Sequence, residues 1–115
     1  MSFDNLVFVG FNSRVLALDR DSGDGVWSWV APKPRSGGFV TLMLDGDRLI
    51  VSVNGYMYCL DPGSGELLWN NDTKGCGTGV TSIVSVRGQS SHAHLMGAVA
   101  IENQRRNAAA AGAGS

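Results

Sequence analysis

The chain has 115 residues, with nine Lys and Arg against ten Asp and Glu. It is one domain at most, and its balanced charge leaves no electrostatic footprint for nucleic acid or an anionic membrane. Sixteen glycines and three tryptophans suit short strands and tight turns, and no apolar run reaches the ~18 residues of a membrane span.

In chain order, Leu6-Val7-Phe8-Val9 is a continuous apolar run, the signature of a strand covered on both faces. The opening Met1-Ser2-Phe3-Asp4-Asn5 has neither a basic n-region nor an apolar h-region, so the expected location is cytoplasmic, and periplasmic or extracellular for a chain that has been trimmed. A turn pair, Asn12-Ser13, leads to a second strand at Val15–Leu18. Asp19 to Gly23 reads as a turn: Asp bonds its own downstream amides and Gly takes positive φ without steric cost. Val26–Val30, with Trp27 and Trp29, is the third strand. Pro32 and Pro34 mark a loop, since proline cannot serve a central ladder. Phe39–Leu44, Arg48–Val53, Tyr56–Leu60 and Glu66–Asn70 follow as strands, with Asp45-Gly46-Asp47 a hairpin signal between the first two. A glycine-rich loop precedes the last predicted strand, Thr81–Val86.

These segments repeat. Ala17-Leu18-Asp19-Arg20-Asp21-Ser22-Gly23-Asp24-Gly25-Val26-Trp27 recurs 42 residues later as Cys59-Leu60-Asp61-Pro62-Gly63-Ser64-Gly65-Glu66-Leu67-Leu68-Trp69. The same shift places Val9 on Val51, Asn12 on Asn54 and Leu42 on Val84. A period of about 40–45 residues is one four-stranded propeller blade. With strands lettered A to D from the axis outward, the chain reads B, C, D, A, B, C, D, A. The expected fold is all-β: two four-stranded antiparallel blades, repeat 1 over about 5–46 and repeat 2 over about 47–88, with residues 89–115 a low-complexity tail. The first blade's A strand would come from the last strand of a neighbouring copy.

The phrase Ala-x-Asp-x-x-x-Gly-x-x-x-Trp resembles the tryptophan-docking repeat of pyrroloquinoline-quinone-like propellers, over roughly residues 5 to 88. That repeat occurs in quinone dehydrogenases, outer-membrane assembly lipoproteins and some kinase sensor domains. The resemblance implies that Trp27 and Trp69 pack between neighbouring blades and that Asp19, Asp61, Gly23 and Gly65 close the C–D turns. Trp29 has no counterpart, because residue 71 is Asn, and is either a surface anchor or an interface residue.

A propeller needs about four blades or more, so two blades alone would leave apolar faces and an unmatched edge open. Cyclic self-association through heterologous contacts is the simplest remedy. A trimer would hold about six blades and a tetramer about eight, both within the usual propeller range; the resemblance leans to eight.

Chemistry is sparse. Cys59 falls in a strand and reads as a small buried hydrophobe; Cys76, in Lys74-Gly75-Cys76-Gly77, is an exposed loop thiol with no neighbouring His. Quinoprotein dehydrogenases usually carry vicinal cysteines, which this chain lacks, so no cofactor is expected. His92 and His94 offer two imidazoles but no third metal ligand. Lys33, Arg35 and Lys74 lie on the D–A loops, where a ring would gather them as a positive collar for an anion. The leading expectation is a non-enzymatic scaffold for a protein or peptide partner, assembled from several copies. The alternatives are a small-molecule or anion-binding ring and a component of a quinoprotein-type dehydrogenase.

Overall fold

Short apolar runs separated by Asn, Asp and Gly turns fold into antiparallel strands, because each turn returns the chain directly alongside itself. The computed structural model describes residues 3–90. Its strands are β1 (Leu6–Phe11), β2 (Arg14–Asp19), β3 (Gly25–Val30), β4 (Val40–Asp45), β5 (Arg48–Val53), β6 (Tyr56–Leu60), β7 (Leu67–Asn71) and β8 (Gln89–Ser90). The bounds of β5 and β6 are those the sequence predicts. The first two strands run further than their apolar cores, because Phe11 pairs with Arg14 and Leu6 with Asp19 at the two ends of their ladder. Among the described residues there is no helix, hence none long and apolar enough to cross a membrane.

Two sheets result, one ordered β1-β2-β3 and the other β7-β6-β5-β4-β8. Both show the repeat in their irregularities: β2 and β3 shift register between Ala17 and Leu18, and β6 and β7 between Cys59 and Leu60. These breaks sit 42 residues apart and lead into the turns that carry Asp19 with Gly23 and Asp61 with Gly65.

The first sheet has three strands, as a chain that starts on a B strand implies. A correction concerns the end of the repeats. Thr81–Val86, predicted as a strand, belongs to neither ladder; the eighth strand is the short β8, paired with β4 at Met43 and Leu44. A strand is defined by its partner's hydrogen bonds. β4 gives its edges to β5 and β8, and no ladder joins 81–86 to β1. The stretch still alternates: Thr81, Ile83 and Ser85 are half-buried while Ser82, Val84 and Val86 are exposed, with Val84 at 84% and Val86 at 102%. It is anchored at its start, where Thr41 Oγ1 donates to the Thr81 carbonyl (2.8 Å) and Ser52 Oγ to Thr81 Oγ1 (2.7 Å).

The core lies between the sheets. Val15 and Ala31 meet Leu49, Val51, Val53, Tyr58 and Leu60, with Phe8, Trp27 and Trp29 packed against them. The β1 backbone lies close against β4 side chains: a Cβ on Gly10 would lie 2.5 Å from Val40 Cγ1. Faces that are equivalent in the two repeats differ in cover. Val7 is 44% exposed and Phe11 53%, whereas their repeat equivalents Leu49 and Val53 are at 1% and 0%.

Candidate functional site

The C–D turns are built twice on the same plan. In the first, Asp19 Oδ1 accepts the N–H groups of Asp21 (2.8 Å) and Ser22 (3.0 Å), and Gly23 N–H donates to the Asp19 carbonyl (2.8 Å). In the second, Asp61 Oδ1 accepts from Gly63 (2.8 Å), and Gly65 N–H donates to the Asp61 carbonyl (2.7 Å). Ser22 and Ser64 each accept an amide two residues on, both at 3.2 Å. The glycines stand at φ +78° and +79°, a region where a side chain costs roughly 1–2 kcal/mol. Amide hydrogen bonds hold the Asp19 carboxyl below the usual carboxylate value of 3.8.

Trp27 joins the two repeats. Its indole N–H donates to the Pro62 carbonyl (2.9 Å), and its ring covers Gly65 so closely that a Cβ there would lie 2.5 Å from Cε3. Phe8 flanks it at 6.0 Å between ring centroids. Pro62 and Gly63 are buried beneath it. Trp69, the repeat equivalent, is 47% exposed. The equivalent turn is bare as well: Arg20, Asp21 and Gly23 are exposed, and a Cβ on Gly23 would meet nothing within 4 Å. Trp29 belongs to the contact between the sheets, edge-on to Tyr58 with centroids 4.8 Å apart.

The antiparallel meander sorts the loops to two ends. The β1–β2, β3–β4 and β5–β6 connections share one end, tied by Ser13 N–H to the Gly38 carbonyl (3.0 Å) and Gly79 N–H to the Asn54 carbonyl (2.9 Å). Arg14, Lys33, Arg35 and Lys74 lie here, against Asp72. The opposite end carries Asp19, Asp21, Asp24, Asp45, Asp47, Asp61 and Glu66, against Arg20, Arg48 and Arg87. Charge that nearly cancels over the chain is thus strongly segregated along it.

At the basic end, Lys33 and Lys74 border an open depression of about 390 Å3, with Tyr56, Asp72 and Thr73. Arg35 is not among its lining residues. Lys33 is committed: its ammonium is 2.8 Å from the Asp72 carboxylate and 5.6 Å from the centre of the Tyr56 ring. The bond to Asp72 raises the Lys33 pKa. The Lys33 carbonyl accepts from the Tyr58 hydroxyl (2.9 Å), and burial pushes that phenol up. A second depression, of about 410 Å3, is lined by Met57, Cys76 and Val80 among others. Cys59 is buried, which raises its thiol pKa and keeps it protonated, whereas Cys76 is exposed. His92 and His94 lie outside the described residues, as does the rest of the tail from 91 on. Among the described residues, no three His, Cys, Asp or Glu side chains are grouped as metal ligands.

Sequence reasoning allows the Trp27 indole a backbone acceptor but does not name the Pro62 carbonyl, since a backbone group leaves no residue-type signal. It also missed the tie from Lys33 to Asp72, because the two residues lie on different loops. The charge segregation was legible in principle: the acids fall in alternate turns.

Residues 12–111 match the family described as outer membrane protein assembly factor BamB. No curated protein matches the chain.

Proposed function

The chain belongs to the outer membrane protein assembly factor BamB family, and from that premise we propose that it is a non-enzymatic propeller scaffold. Several copies complete one ring, and the ring presents its repeated loops to a protein or peptide partner. The observation that carries this reading is the unequal cover of the two sheets. The face that buries Leu49 and Val53 in the second sheet is bare at Val7 and Phe11 in the first, and bare apolar faces of this kind mark an interaction surface. A heterologous contact, the face of one copy against the opposite face of the next, covers both and closes on itself when the rotation allows.

The exposed stretch 81–86 fits the same assembly. Shifting the β4–β5 register, in which Leu42 opposes Val51, by one repeat sets Val84 of one copy opposite Val9 on the open edge of β1 in the next. That pairing would supply the first sheet's missing strand and remove its edge. The family's description concerns outer-membrane assembly, which favours the periplasmic expectation over the cytoplasmic one. The absolute mass of the purified chain, by light scattering after size exclusion, tests the proposal. Three or four chain masses are expected; a stable mass of one chain overturns it.

A second reading rests on the segregated charge. Stacked as a ring with all copies in one sense, the basic ends share one mouth and attract anions there. Because Asp72 already neutralises Lys33, Lys74 and Arg35 carry most of this attraction. Titration with inorganic phosphate, comparing the wild type with a chain carrying Lys33→Ala, Arg35→Ala and Lys74→Ala, tests it. Unchanged binding removes this reading.

A further inference from the structure

We propose that the depression between Lys33 and Lys74 takes one small organic monocarboxylate with a flat apolar body, held within a single chain. This rests on the reading that the basic end attracts anions; it names the class of anion and the residues that choose it.

The residues of this site depart from the repeat. At the 42-residue shift, Tyr56 stands where the first repeat has Arg14, Asp72 where it has Val30 and Lys74 where it has Pro32, while Lys33 stands where the second has Gly75. A blade forms with other residues at all four positions, so blade packing does not account for them. Both bordering loops are fixed. The Lys33 carbonyl accepts the Tyr58 hydroxyl (2.9 Å), which ties the β3–β4 loop to β6. Thr73 Oγ1 donates to the Gly55 carbonyl (2.7 Å), which ties the loop after β7 to the β5–β6 turn, and so to Tyr56. The Thr73 carbonyl then accepts the Cys76 N–H (3.0 Å) with Gly75 at φ +82°, a type II turn that holds Lys74 at its second position. A depression of about 390 Å3 between fixed loops is of the size that small ligands fill.

The charges choose the ligand. Of the lining residues, Lys33 and Lys74 are cationic and Asp72 is anionic, which leaves one positive charge to be met. Asp72 takes one of the three donors of the Lys33 ammonium (2.8 Å), so two remain. Among the described residues, no carboxylate lies within ion-pair reach of Lys74, which stands exposed on its loop. One ligand carboxylate balances the charge. A dianion such as phosphate would set its second charge against Asp72, and like charges repel. The Tyr56 ring lines the same depression, half-buried, with the Lys33 ammonium 5.6 Å from its centre. It offers a flat apolar wall that packs another ring. A carboxylate alone leaves that wall in water, whereas an apolar body joined to it covers the wall and adds burial to the ion pair.

Benzoate is the probe and inorganic phosphate its rival, each titrated into the whole chain at one fixed ionic strength, because salt screens exposed charges. Amide NMR spectra report where each anion binds. Benzoate is expected to bind in the millimolar range, more tightly than phosphate, and to shift the amides of Tyr56 and of residues 73–78. Lys74→Ala removes the uncommitted charge and weakens benzoate by roughly threefold to fivefold, as for a strong exposed ion pair. Asp72→Asn keeps an oxygen acceptor for Lys33 and removes the opposing charge, so phosphate should then bind at least as tightly as benzoate. Lys74 is exposed and Asp72 half-buried, so each variant keeps the wild-type amide spectrum away from the site. A wild type that prefers phosphate, benzoate binding that Lys74→Ala leaves unchanged, or a preference that Asp72→Asn leaves unchanged overturns the carboxylate site while leaving the anion reading. A chain that binds neither anion removes both.

Discussion

The two sheets carry nearly the same sequence pattern and live in different surroundings. In the second, Leu49, Val51 and Val53 are buried by the first sheet; in the first, Val7 and Phe11 hold the positions of Leu49 and Val53 and stand about half exposed. The tryptophans show the same difference, since Trp27 rests on the Pro62–Gly65 turn while Trp69 is 47% exposed. Burial in a repeat protein is thus a property of the contact between neighbours, not of the repeat. A stability measurement on matched positions reads that contact directly.

The largest contrast is expected at the tryptophans. Trp27→Ala removes a ring packed between Phe8 and Gly65 and orphans the contact with the Pro62 carbonyl, costing about 3–5 kcal/mol. Trp69→Ala removes a ring that is half in water, and costs about 1 kcal/mol in the single chain. Urea unfolding at a concentration low enough to keep single chains separates the two. Equal losses would mean that Trp69 has cover within its own chain and would break the comparison.

The sequence carried the architecture further than it carried the site. Seven of the strands are marked by apolar runs between turn residues, and the 42-residue shift locates both C–D turns before any coordinate. Those are local signals, set by side-chain alternation and by Asp and Gly chemistry. The fate of 81–86 was not local. Its valines alternate as a strand does, but a ladder needs an edge, and the number of open edges depends on the whole sheet. Lys33 illustrates the same limit. Its charge was legible and its partner Asp72 was not, because the two meet only through the packing of separate loops.

The glycines give a smaller contrast that sharpens the first. Both stand at positive φ, so alanine at either pays roughly 1–2 kcal/mol for the backbone alone. At Gly65 the added methyl also meets the Trp27 ring at 2.5 Å. The ring is wedged against Phe8 and its N–H is held by Pro62, so overpacking adds about 1–3 kcal/mol. Gly23→Ala, with open space around it, is expected to show the backbone cost only. The difference between the two melting curves therefore measures the occupied seat against the empty one. A Gly23→Ala loss as large as that of Gly65→Ala would mean the seat is filled in the single chain.

The smallest effect is electrostatic and belongs to the free turn. The N–H groups of Asp21 and Ser22 hold the Asp19 carboxyl below its ordinary value of 3.8. A group whose folded pKa is depressed stabilises the fold above the unfolded value, and that contribution is lost as pH falls through the folded one. The turn therefore keeps its full strength above about pH 4 and loosens progressively below it. Asp19→Asn keeps an oxygen acceptor and removes the titration. Comparing the two chains between neutral pH and pH 3, the wild type should lose more stability than the Asn variant, by a margin kept small by the exposure of the turn. The sign is the point. A wild type that gains on the variant as pH falls would show that the carboxylate is a burden in the bare turn, which the two amide bonds to it do not allow.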